Sequence, residues 1–203
     1  MPISLKLPWP LFGFVRPRQR ESAPDDLVLV GERITLRPLH IDDAAALYLC
    51  ASDPEVTRFL PWQPANDIES VRNFLYDQVE RRRRGESLGL AVLLHETLIG
   101  SVDLMGLHGA KKTGIAEIGY LLNKDQWGKG LMTEAAAVAR DHGFTTFSLK
   151  TLVGFADESN IGSRRVLEKL GMRHVGEELR TVKNEERRYI RYEMSRSEWE
   201  ARS

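Results

Sequence analysis

Three apolar runs, residues 88–94, 97–105 and 115–122, follow one another with no helical pattern between them. That succession constrains the fold more than any other feature of the chain. Parallel neighbours need a crossover of a dozen residues or more, so strands joined by such short links pair as an antiparallel meander. His95 and Glu96 are the whole link between the first two runs, which makes it a hairpin turn. Residues 106–113 read as a longer turn with Lys111 and Lys112 exposed. The pattern then changes. Residues 123–130 are polar and glycine-bearing, residues 131–142 are alanine-rich and helical with Gly143 as the stop, and residues 147–155 are again a strand. The strand–helix–strand stretch from 115 to 155 is the one place where a parallel pair is expected, with its crossover helix on one face.

The flanks complete an α+β (mixed α/β) domain of about seven strands and four helices over residues 28–203. Residues 28–36 alternate as a strand that Pro38 closes, and residues 40–50 form a helix with Asp42 and Asp43 in its first turn, where acids suit the helix dipole. Residues 53–66 hold three prolines and read as a loop or broken helix. Ile68, Val71, Leu75 and Val79 mark the next helix. Asn66 and Glu69 would form its capping box, and residues 81–84, four arginines before Gly85, a solvated basic end. Residues 160–170 are helical with Gly171 as a left-handed cap. Residues 172–178 and 188–194 close the sheet, with Ile190, Tyr192 and Met194 on one face.

Residues 1–27 form an arm of another character. Pro2, Pro8, Pro10, Pro17 and Pro24 forbid a long helix. The apolar piece 9–15 precedes Arg16, Arg18 and Arg20, the reverse of a secretory signal, so no cleaved export signal is expected and the location is read as cytoplasmic. A tail, an arm whose Trp9, Phe12 and Phe14 pack on the body or a partner subunit, and a membrane-surface or nucleic-acid contact all stand as readings. The chain would be a monomer or a homodimer.

Lys plus Arg and Asp plus Glu both count 29, which argues against a broadly basic nucleic-acid binder. The single cysteine, Cys50, excludes an internal disulfide and reads as core filler. The five histidines are scattered, so no metal site is expected. No run approaches the roughly 20 apolar residues of a spanning helix.

The segment DQWGKGLMTEA follows a strand and opens a helix. Gly128 and Gly130 leave the backbone open to close approach, the first helical amides lack internal partners, and Lys129 adds a positive charge. That is an anion or phosphate site, or else a glycine-rich turn with no ligand. It lacks the GxxxxGK-Ser/Thr of a Walker loop and the full GxGxxG of a dinucleotide fold.

EIGYLLNKDQWGKGLMTEA, followed by DESNIGSRRVLEKLGM, resembles the GNAT acyl-CoA-dependent N-acetyltransferases, and within them the RimJ/RimL type. The ITLRPL strand, the DPEVTRFLPW loop and the RYEMSRSEW segment extend the likeness from about residue 29 to 199. The resemblance implies a GNAT-like fold, a mostly antiparallel sheet splayed between the strand before the loop and the next one. It implies acetyl-CoA as co-substrate and no metal. The family's diphosphate loop falls on Trp127, Gly128, Lys129, Gly130, Leu131 and Met132, with Thr133 beyond. Trp127 stands where Arg or Gln is usual and Met132 where a small residue is usual. The backbone of Leu121 and Leu122 would pair with the pantetheine arm, and an N–H near Leu122 would meet the developing oxyanion. Asn160 and Ser163 match the family's Asn-x-x-Ser. Asn160 would cap its helix while reaching the pantetheine, and Ser163 would face the departing thiolate.

The implied reaction is direct attack of a primary amine on the thioester, without an acyl-enzyme. The acceptor would be a protein N-terminal α-amine or a small molecule, and a non-catalytic acyl-CoA-binding protein is the alternative. Glu117, a carboxylate inside the apolar strand IAEIGY, is the candidate base. Alternation puts it with Gly119 and Leu121 and opposite Ile118 and Tyr120, without saying which side is the cleft; a surface strand residue is the other reading. Arg58, Phe59 and Trp62 would border the acceptor, with Tyr120 and Tyr189 as further candidates.

Overall fold

The computed structural model describes residues 23–202, so the arm contacts expected of Trp9, Phe12 and Phe14 lie outside the described residues. The strands are β1 (Leu29–Val30), β2 (Ile34–Pro38), β3 (Ser87–Leu94), β4 (Thr97–Met105), β5 (Ile115–Leu122), β6 (Thr151–Asp157), β7 (Arg173–Val182) and β8 (Glu185–Ser195). They form one sheet in the order β1-β2-β3-β4-β5-β6-β8-β7. Every pair is antiparallel except β5 with β6, as the strand–helix–strand pattern requires.

The helices are α1 (Ala44–Ala51), α2 (Pro54–Thr57), α3 (Ile68–Arg83), α4 (Leu107–Thr113), α5 (Leu131–Thr146), α6 (Ile161–Lys169) and α7 (Arg196–Glu200). α5, the crossover, lays Ala135, Ala136 and Ala139, all fully buried, against one face of the sheet. Such small side chains let a helix sit close to the strands. Ala116, Ile118 and Leu122 of β5 join that core. α1 and α3 cover the other face with Leu47, Cys50, Val71 and Leu75, and Leu121 of β5 joins them. Alternation along β5 therefore settles the direction of Glu117 and Gly119: they share Leu121's side, the α1/α3 face.

Several boundaries differ from the sequence reading. Residues 28–36 are not one strand. The chain turns at 31–33, where the Gly31 amide donates to the Ile34 carbonyl at 2.9 Å, and the break yields β1 and β2. Residues 106–113 are not a turn but α4, held between Gly106 and Gly114, both left-handed, with Leu107 and Ala110 buried. The cap of α3 is Asp67, not Asn66; its carboxylate accepts from the Ser70 amide at 2.7 Å. Gly143 does not stop α5, which runs on to Thr146. A Cβ there would lie 3.2 Å from Leu104, so this glycine serves close helix–sheet packing. Residues 147–150 precede β6 rather than belonging to it, and Ser148 has φ +51°. The basic end of α3 is not wholly solvated: Arg82 is buried and pairs with Asp25 at 2.5 Å. Cys50 is core filler as expected, fully buried, its thiol pushed up to about 11 by that burial.

Candidate functional site

β5 has six paired positions with β4, Gly100↔Leu122 through Met105↔Glu117. With β6 it has three, Ile115↔Thr151, Ala116↔Leu152 and Glu117↔Val153. Beyond Glu117 the two strands part. β6 continues to Asp157 paired with β8 alone, and β5 continues to Leu122 paired with β4. Gly100 shows how β5 leans away. A Cβ at that position would lie 2.3 Å from the Leu121 carbonyl oxygen and 3.0 Å from the Leu122 Cα, so the close approach of β4 and β5 needs glycine. The result is a wedge between β5 and β6, open toward the carboxyl ends of both strands.

The loop that opens α5 lies at the end of the wedge. Asn123 caps a 3-10 turn over Lys124–Gln126. Gly128 and Gly130 have φ +74° and +77°, a region L side chains rarely enter. Nothing lies within 4 Å of where a Gly128 Cβ would sit. Gly130 is the N-cap of α5, with no side chain capping the helix, so the first-turn amides of Leu131, Met132 and Thr133 are presented to the loop. Trp127 braces the loop on the end of β5, its indole N–H donating to the Leu122 carbonyl at 2.9 Å. Lys129 is exposed and its Nζ donates to Gln126 at 3.1 Å.

Arg33, which sequence reasoning missed, anchors this loop from the far side. Its Nε pairs with Glu134 at 2.9 Å, its Nη1 donates to the Lys129 carbonyl at 3.1 Å, and its Nη2 would be 3.6 Å from a Gly130 Cβ. The local GERI context carries no signal for a partner 101 residues away.

The two faces of β5 present different chemistry. Tyr120 turns toward α6, where its hydroxyl lies 3.1 Å from Ser163 Oγ and donates to the Ser163 carbonyl at 3.0 Å. Tyr120 thus sits with Ser163 rather than with the acceptor candidates, and burial pushes its phenol up. Asn160 is the N-cap of α6, accepting from the Ser163 amide at 3.1 Å. On the opposite face Glu117 is half-buried at the last rung before the strands part. Burial raises its carboxyl above the ordinary range; Arg180 offsets part of that rise and Glu178 adds to it.

The outer wall of this face joins α2 to the β7–β8 hairpin. Three consecutive carbonyls, those of Thr57, Arg58 and Phe59, accept from Lys183 Nζ at 2.8 Å, Arg187 Nη1 at 3.1 Å and Tyr189 OH at 3.1 Å. A cavity of about 440 Å³ opens here, lined by Arg58, Phe59, Asp157, Glu158, Ser159, Arg187 and Arg188. Arg58, Phe59 and Tyr189 are therefore brought together. Trp62 is not part of this cavity lining; its ring lies 6.4 Å from that of Phe74 on α3. Sequence reasoning also missed Asp103, a half-buried carboxyl on the Glu117 side of β4, pushed up to about 7 by burial. Its signal was present: an acid within the apolar run TLIGSVDLM, the same anomaly that marked Glu117.

Among the described residues no group of His, Cys, Asp and Glu is arranged to hold a metal, and no helix is long and apolar enough to cross a membrane. The chain matches a family model described as an acetyltransferase (GNAT) domain over residues 33–173. The uncharacterized N-acetyltransferase p20 of Bacillus licheniformis is 31% identical over 150 residues, covering 73% of this chain and 83% of that protein. The probable N-acetyltransferase YjcK of Bacillus subtilis is 33% identical over 163 residues, covering 77% and 89%. In fold, the chain is similar to RimJ of Mycobacterium smegmatis in complex with CoA-disulfide, with TM-score 0.76 and 24% identity over 89% of this chain and 91% of that one. With its parted seam and open helix start, the chain belongs to the GNAT acetyltransferase family and is an N-acetyltransferase.

Proposed function

We propose that this chain is an acetyl-CoA-dependent N-acetyltransferase of the RimJ/RimL type that acts on the α-amine of a peptide or protein. The observation that carries the reading is the wedge between β5 and β6 ending at the uncapped amides of α5. Those amides, with Lys129 and Arg33 beside them, suit a diphosphate. Backbone groups in an opened sheet need partners, and the edge of β5 at Leu121 and Leu122 offers them to a pantetheine arm as to a short extra strand. Asn160 and Ser163 line the other wall. The residues present therefore fit the co-substrate, which supplies an activated acetyl group when bound.

The chain's own groups do the rest. The amine approaches from the α1/α3 face, and Glu117 accepts the proton that its nitrogen loses. A free α-amine has a pKa of about 7.7 to 8.0, so a carboxyl raised by burial is a sufficient base. On the opposite face the Tyr120 and Ser163 hydroxyls stand where the sulfur departs, and one of them donates a hydrogen bond or proton to it. No side chain becomes acylated. The cavity beside Phe59 sets Arg58, Arg187 and Arg188 among Asp157, Glu158 and Ser159, a mixed polar wall that suits an acceptor with amide donors and carbonyls behind its amine, as in a peptide.

The test mixes the protein with acetyl-CoA and follows free thiol release against tetrapeptides with free amino termini, their lysine-bearing N-blocked counterparts and 1,4-diaminobutane. Thiol release that depends on the free α-amine is the expected result. Acetyl-CoA binding in calorimetry with no release for any amine would make the chain a non-catalytic acyl-CoA-binding protein. Absence of binding by folded protein would end the reading of the wedge.

A further inference from the structure

The α1/α3 face carries a second carboxyl that the proposed proton path does not use. Asp103 stands in one row across the sheet with Gly89 of β3 and Gly119 of β5, its paired neighbours on either side. Neither neighbour has a side chain; the carboxyl leans over Gly89, where Leu39 and Gln78 close the space, and leaves the Gly119 flank to the end of Met105. On the β3 flank a Gly89 Cβ would lie 2.8 Å from Asp103 Oδ1 and 3.2 Å from Gln78 Oε1 of α3. On the β5 flank a Gly119 Cβ would meet the flexible end of Met105, at 3.0 Å, and nothing else within 4 Å.

The carboxyl is short of donors. Oδ1 is buried with no hydrogen-bond partner, and Oδ2 has one long contact, 3.4 Å to Ser101 Oγ. An ionised carboxylate offers about four acceptor positions. Ser87 Oγ, one position along the same face of β3, is also buried without a partner. The charged groups on the elements packed around Asp103 do not fill the gap. Arg82, one turn beyond Gln78, turns its two terminal nitrogens to Asp25 and to the carbonyls of Ala23 and Pro24, and its buried Nε makes no hydrogen bond to Asp103 or to any other group among the described residues. Arg37 is closed onto Asp43 at 2.6 Å. Glu117 adds an acid rather than a donor, diagonal to Asp103 across β4 and β5, at a spacing of roughly 7–8 Å or somewhat less between Cβ atoms.

We propose that Asp103 binds the ammonium form of the acceptor amine, beside the Glu117 that deprotonates it. An ammonium brings three donors to a carboxyl that lacks them. The Gly119 flank lies between the two acids, and the flexible end of Met105 is the one side chain the amine displaces in passing from one to the other. Asp103 is raised to about 7 by burial, so it is largely ionised, and ready for a cation, only above neutral pH. This inference rests on the acetyl-transfer reading above.

Its test measures initial rates for wild type, Asp103→Asn and Gly119→Ala from pH 6 to 9, varying acetyl-CoA and the best amine of the panel separately. Asp103→Asn is expected to raise the amine KM about tenfold or more at pH 8, in line with loss of a charge-assisted hydrogen bond. It should leave the acetyl-CoA KM and kcat within about twofold. The wild-type fall in amine KM as pH rises through about 7 should vanish in this variant. Gly119→Ala, which keeps the acid and fills the open flank, should raise the same KM. In parallel, carbon-13 NMR of the Asp103 carboxyl should show its midpoint near 7 moving down when the amine is added. A carboxyl with a merely structural role would change the melting temperature and leave the amine KM and that midpoint in place, which overturns the inference. If no amine in the panel is acetylated, the acetyl-transfer reading falls; if amines are acetylated and Asp103→Asn keeps the wild-type amine KM, this inference falls alone.

Discussion

β5 has two neighbours and treats them differently. Toward β4 it is zipped through six positions, and toward β6 it lets go after three. The same eight residues make both edges, so the difference cannot come from the side chains of β5. It comes from what the neighbours permit. Gly100 on β4 has no Cβ, and the backbone of β5 moves into that space. β6 is carried off by its antiparallel partnership with β8, which runs through all seven of its residues. A sheet with a closed seam and an open seam on one strand is held together by the first and does its work at the second. Each seam also has its acid: Asp103 pairs with Gly119 in the closed one, and Glu117 marks the last rung of the open one.

Three changes probe this contrast. The largest effect is expected from Gly100→Val, which forces a Cβ to within 2.3 Å of the Leu121 carbonyl and should destabilise the fold by about 3 kcal/mol, read as a lower urea midpoint. A midpoint equal to wild type would show that β5 is drawn away from β6 by something other than Gly100. Glu117→Gln comes next. Turnover at neutral pH should drop about 100-fold with acetyl-CoA affinity kept. The wild-type rate should also fall on acidification at a pH above the ordinary carboxyl range, because burial raises the Glu117 pKa and the protonated form cannot accept a proton. The variant should lack that limb, and a retained limb assigns it to another group. Ser163→Ala is the mildest: turnover should fall about fivefold, one hydrogen bond's worth, since Tyr120 remains at the same place. A larger loss, with Tyr120→Phe near wild type, would move the role at the sulfur from the pair to Ser163 alone.

The closed part of the sheet was legible in sequence, because β3, β4 and β5 are apolar and joined by short links. The His95–Glu96 hairpin and the parallel β5–β6 pair follow from that pattern. The β7–β8 hairpin is longer than expected, meeting at Lys183 and Asn184 with φ +53° and +63°. Its outer residues are mostly polar or charged, with Leu179 exposed and Val182 alone buried, so no sustained apolar alternation marks them. α4 was illegible because two glycines enclose it and its apolar face is two residues wide. The site divides in the same way. Gly128, Gly130, Glu117, Asn160 and Ser163 stand out locally, as residues odd for their element or fixed at a helix start. Arg33 and the donors Lys183 and Arg187 act across 100 residues or more, and nothing in their neighbourhood announces it. The direction of Glu117 needed Leu121, whose burial under α1 and α3 identifies the face.

The grip of Lys183, Arg187 and Tyr189 on residues 57–59 reaches oxygen atoms that every amino acid carries. What protrudes from that stretch is therefore decoupled from what fastens it. Arg58 and Phe59 can be exchanged to suit a different visitor while the fastening stays unchanged, so this short piece of wall is a ready place to retune substrate choice in a library without repairing the scaffold afterwards.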